Sequence, residues 1–87
     1  MSLNPLLDPF VETGYLGYSL RGIAHRRPDA TYQPSLQIRN YRCSFGGRLY
    51  DGKFRDLFFD PESAIEHALG KGRQIVDDHV ERRIRNS

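Results

Sequence analysis

The sequence predicts an α+β domain: a three-stranded antiparallel meander with one long C-terminal helix packed across one face, plus an apolar N-terminal arm. Three observations carry that prediction. Apolar residues recur at Ile65, Leu69, Val76, Val80 and Ile84, the steps of three and four that put one stripe along a helix. Between Tyr15 and Phe59 the alternation is instead by twos, punctuated by turn residues. Finally, 87 residues at 38% hydrophobic content allow one core between one sheet and one helix, not two layers of helices.

Residues 1–14 read as the arm and residues 15–87 as a single β-β-β-α domain. In the arm, Asn4-Pro5 and Asp8-Pro9 each resemble a cap followed by a proline, and Gly14 closes the segment. A single helical turn from Pro9 to Thr13 is expected. Leu3, Leu6, Leu7, Phe10 and Val11 are too apolar for a freely solvated tail, so the arm is expected to pack on its own domain or on a second subunit.

The first strand is expected from Tyr15 to about Arg26, with Leu16, Tyr18 and Leu20 alternating against Gly17, Ser19 and Arg21. Pro28-Asp29-Ala30-Thr31 supplies the turn. The second strand is expected over residues 33–43, with Leu36 and Ile38 on one face and Gln37, Arg39 and Tyr41 on the other. A bulge near Asn40 would switch the phase for Cys43 and Phe45. Gly46-Gly47 and Asp51-Gly52 are closely spaced turn signals, fitting either a loop over residues 44–52 or a small extra hairpin at Asp51-Gly52. The third strand is expected from Lys53 to Phe59.

Asp60 can cap the first turn of the helix and Pro61 fits its first position, where no N–H is needed. Gly70 and Gly72 each cost a helix interior about 1 kcal/mol relative to alanine. Gly72 lies on the stripe, where a missing side chain permits close approach to the sheet; Gly70 does not. One long helix and two helices broken at residues 70–72 both fit the sequence.

Composition narrows the function. Net charge is +2, but residues 21–55 hold eight basic against two acidic residues, whereas residues 58–87 hold five basic against six acidic. The strands are therefore basic and the helix mixed. Mean hydropathy is −0.64, and no apolar run approaches the roughly 20 residues that span a bilayer, so no membrane role is expected. Met1-Ser2-Leu3-Asn4-Pro5 lacks the basic flank and apolar core of a signal peptide, and the single cysteine, Cys43, forms no internal disulfide. A cytoplasmic protein is expected.

Catalytic and metal chemistry find little support. No two of His25, His67 and His79 stand at a metal-binding spacing, and Asp77-Asp78-His79 point about 100° apart on a helix. Cys43 would need a histidine base, for which His25 is the nearest candidate, but nothing in the sequence sets the register. Gly70-Lys71-Gly72-Arg73 lacks the spacing of a phosphate loop and lies inside the helix. The expectation is no enzyme, no metal and no cofactor.

Basic residues interleaved with aromatics remain. Arg39, Tyr41, Arg42, Phe45, Arg48, Tyr50, Lys53 and Phe54 form such a series, the mixture that supplies guanidinium groups to phosphates and ring faces to bases. It is also ordinary strand chemistry, in which aromatics favour the pleat and arginine keeps a sheet soluble. The expected function is a small non-enzymatic module that binds nucleic acid, with Arg39, Arg42, Arg48, Lys53 and Arg55 on phosphates and Tyr41 stacking. The alternative is a protein-interaction or homodimerisation module.

The run of Phe59, Asp60, Pro61, Glu62, Ala64 and Ile65 into a helix bearing Gly72, Arg73, Ile75 and Asp77 resembles small uncharacterised proteobacterial proteins. The resemblance covers about residues 15–78 and implies a β-β-β-α fold without an assigned activity. The same order of elements looks like the arm-type DNA-binding domain of tyrosine recombinases, whose three-stranded sheet enters the major groove. That likeness implies DNA as a partner, although this chain carries no catalytic recombinase domain.

Overall fold

A computed structural model describes residues 8–40 and 47–85. It contains β1 (Phe10–Tyr15), β2 (Tyr18–Arg26), β3 (Tyr32–Asn40), β4 (Arg48–Lys53) and α1 (Pro61–Arg85). The four strands pair antiparallel in the order β1-β2-β3-β4, and α1 crosses one face. The fold is α+β, but the expected three strands are four.

The additional strand is the end of the expected arm. Phe10 to Tyr15 pair with Ile23 to Tyr18 instead of forming a helical turn. A two-residue connection, Leu16-Gly17, closes the hairpin with φ of 50° and 84°, the left-handed pattern of a type I′ turn. Its first position usually holds Asn, Asp or Gly, so a leucine there conceals the turn. Leu16, expected on the buried face of a strand, is instead in the turn and 59% exposed.

The last strand is also displaced. Asp51-Gly52 is neither loop nor hairpin tip but lies in β4, opposite Gln37 and Leu36. The Tyr50 side chain lies over Gly52, where an added Cβ would meet the Tyr50 hydroxyl at 3.1 Å, so a ring shields the bare backbone. Lys53–Phe59 is not continuous strand. Phe54 N–H donates to the Pro34 carbonyl (2.9 Å) and Phe58 exchanges two bonds with Tyr32 (2.7 and 2.9 Å), while residues 55–57 lie outside the ladder. The register shift falls between Ile38 and Arg39 and inserts Leu49 into β4, rather than phasing the second strand at Asn40. The expected phase change at Cys43 and Phe45 lies outside the described residues.

The turn between β2 and β3 uses Asp29, whose carboxylate accepts from the Thr31 N–H (3.2 Å) and the Thr31 hydroxyl. These bonds hold the Asp29 carboxyl below its usual range. At the start of α1, Asp60 accepts from the N–H and hydroxyl of Ser63, both at 2.9 Å. α1 is one unbroken helix through Gly70 and Gly72.

Two glycines set the distance between helix and sheet. A Cβ on Gly72 would lie 3.0 Å from Leu36 Cδ1; one on Gly22 of β2 would lie 3.1 Å from the Ile65 carbonyl oxygen and from Leu69 Cγ. Leu20, Ala24, Leu36, Ile38, Ala64, Ala68 and Val76 are fully buried between the two layers. Tyr15 of β1 fastens the edge, its hydroxyl donating to Asp77 at 2.7 Å, and that bond raises the Tyr15 pKa. A 25-residue helix is about 37 Å long and a nine-residue strand about 30 Å, so α1 outruns the sheet. Ile84, expected on the buried stripe, is accordingly 69% exposed. Among the described residues no helix is long and apolar enough to cross a membrane.

Candidate functional site

Side chains alternate across a strand, so packing one face against α1 assigns every second residue to the other. The pairing registers then align these residues in rows. Glu12, Arg21, Gln37 and Asp51 form one row across all four strands. Ser19, Arg39 and Arg48 form the next, and Ile23, Ser35 and Lys53 a third. The helix-free face is thus largely polar, with Ile23 and, opposite it on β1, Phe10 as apolar members of the third row.

Two of its cations are engaged by carboxylates. Glu12 accepts from Arg21 Nε (3.1 Å) and Nη2 (2.7 Å) and from the Ser19 hydroxyl (3.1 Å). The Arg21 bonds, then that of Ser19, hold the Glu12 carboxyl below its ordinary range. Arg48 Nη1 donates to Asp51 at 2.9 Å. The Arg21 guanidinium also lies 4.9 Å from the centre of the Phe10 ring, which is 54% exposed. Arg39 and Lys53 form no ion pair among the described residues and are exposed.

Of the six expected nucleic-acid contacts, Arg39, Arg48 and Lys53 are therefore brought together on one face. Arg55 is exposed in the connection after β4, outside the ladder. Tyr41 and Arg42 lie outside the described residues, as does Cys43. Arg21 was missed as a member of the face; alternation along β2 carries the signal, but only pairing shows that it stands beside Gln37.

A second group lies toward the other end of the face. His25 Nδ1 is 2.9 Å from Asp8 Oδ2 and its Nε2 is 2.7 Å from Ser35 Oγ. Asp8 is fixed from a second side by the Arg26 N–H, which donates to Oδ1 at 3.3 Å. Sequence alone coupled His25 with Cys43, because Gln33 standing opposite His25, and hence Ser35 on the diagonal, is a matter of register.

The other two histidines occupy the helix side. His67 is enclosed by Phe54 and Phe58, with ring centres 5.5 and 5.2 Å away, and its Nε2 lies 3.2 Å from Asp56 Oδ2 without hydrogen-bond geometry. His79 meets Tyr18 edge-on at 5.9 Å. Comparison with family models, curated proteins and solved structures finds no match for this chain.

Proposed function

We propose that this chain is a binding module that contacts nucleic-acid phosphates through the helix-free face of its sheet. The observation that carries the reading is the cross-strand pair Arg39 and Arg48, like charges directly opposite on β3 and β4, with Lys53 on the same face. Like charges in that position oppose pairing, and an anion held between them offsets the repulsion. Strands about 4.8 Å apart place such groups within reach of neighbouring phosphates. Arg21 and Arg48 are already partnered, which leaves Arg39 and Lys53 as the cations an incoming phosphate meets first.

The test is binding of the full chain to duplex and single-stranded DNA and RNA across a salt series. The logarithm of affinity should fall linearly with that of salt, by about 0.9 per duplex phosphate neutralised. Changing Arg39 and Lys53 to glutamine should reduce that slope by about two and weaken all sequences alike, because phosphate contacts carry no base readout. Absence of binding to every form at about 50 mM salt overturns the reading.

A protein-interaction or homodimer role is supported by exposed apolar side chains. Phe59 is 87% and Leu57 44% exposed in the connection before α1. A dimer by light scattering that Phe59→Ser dissociates, together with no nucleic-acid binding, would put this second reading first.

A further inference from the structure

The group formed by Asp8, His25 and Ser35 does not belong to the cation array. A carboxylate only accepts hydrogen bonds, so His25 Nδ1 carries the hydrogen shared with Asp8. A neutral ring then presents a bare Nε2 to the Ser35 hydroxyl, 2.7 Å away. This is the constellation that turns a hydroxyl into a nucleophile: a base within hydrogen-bond reach, and a third group holding the base in one tautomer. Ser35 is 6% exposed, and it faces the helix-free side rather than the core. Lys53 stands directly opposite it on β4, on the same face, and would supply the cation for a developing oxyanion.

We propose that Ser35 is a catalytic nucleophile that accepts acyl groups from small activated esters. Its Oγ attacks the carbonyl carbon while His25 Nε2 takes the hydroxyl proton, giving a tetrahedral oxyanion beside Lys53. The oxyanion collapses, the C–O bond to the leaving group breaks, and the departing alkoxide takes the proton from His25 and leaves as an alcohol. Water then attacks the acyl-serine ester, giving one proton to His25, which returns it to Oγ as the acid leaves. Asp8 is a positioning residue. Ser35 is only 6% exposed, so the substrate class is a short acyl ester with a good leaving group, small enough to reach its hydroxyl, rather than a large ligand. This inference shares Lys53 with the nucleic-acid reading, but its test, a covalent adduct on Ser35, does not depend on nucleic-acid binding.

The experiment treats the full chain with p-nitrophenyl acetate and, separately, with an alkyl fluorophosphonate, which loses fluoride as it phosphonylates an activated serine. Modified residues are located by peptide mass mapping. A single adduct on Ser35, absent from Ser35→Ala, is expected. Its rate of formation should fall by roughly 100-fold or more in His25→Ala and be partly restored by added imidazole, which a structural role for the ring would not produce. Asp8→Asn should slow labelling, and Asp8→Glu should retain most of it. Wild-type protein that acquires no adduct on Ser35, or a folded His25→Ala variant that labels at the wild-type rate, overturns the proposal.

Discussion

On the face that α1 covers, Leu20, Leu36 and Ile38 are fully buried, whereas one residue further along each strand Arg21, Gln37 and Arg39 stand at the surface. The same backbone therefore presents two chemistries that differ in how tightly they are determined. Under the helix, volume decides: Gly22 and Gly72 are present because no side chain fits there without moving a neighbour. On the open side the described side chains meet one another and solvent rather than a second layer, so charge and hydrogen bonding decide. Stability is concentrated on the first face and chemistry on the second.

Four changes would break or sharpen that contrast, beginning with the largest effect. Leu36→Ala, at a fully buried position, should cost about 2–5 kcal/mol in chemical denaturation; a variant as stable as wild type would show that α1 packs elsewhere. Gly22→Val should cost roughly 1–3 kcal/mol by overpacking, since its Cβ would press on the backbone carbonyl of Ile65, which cannot swing aside. Gly70→Ala should stabilise the protein by about 1 kcal/mol. Its added methyl would meet only Arg73 Nη2, at 4.0 Å, so helix propensity acts without interference.

The smallest effect belongs to the open face. The Glu12 carboxyl is held below its ordinary range by Arg21 and Ser19, so its contribution is present above the usual carboxylate titration and is lost as pH falls through the depressed value. Glu12→Gln should therefore lower stability slightly near neutrality and leave it unchanged at acid pH, which flattens the acid limb of the profile. Equal loss at both pH values would show that the side chain acts through packing.

The covered face was legible in the sequence because burial writes a period into it. Ile65, Leu69 and Val76 at helical steps, and Leu36 and Ile38 at strand steps, point to the same core. β1 was not legible, since its turn relies on a leucine in a left-handed conformation that ordinarily marks an asparagine or glycine. β4 was obscured by Asp51-Gly52, a turn signal in isolation that pairing with β3 overrides. For the open face, Arg39, Arg48 and Lys53 were readable as basic strand residues. Asp8, His25 and Ser35 were not, because their meeting depends on two strand registers and on where the residues just before β1 lie, which no local pattern encodes.

The order β1-β2-β3-β4 repeats the order of the chain, so every strand finds its partner in the segment just before or after it. Short loops close at small entropic cost, and no strand must wait for a distant one before pairing. The meander can zip hairpin by hairpin, with α1 docking last onto β2 and β3. Refolding on the order of milliseconds follows from this topology. Among the described residues the four X-Pro bonds, at residues 9, 28, 34 and 61, are trans, so isomerisation delays only molecules that start with the wrong isomer.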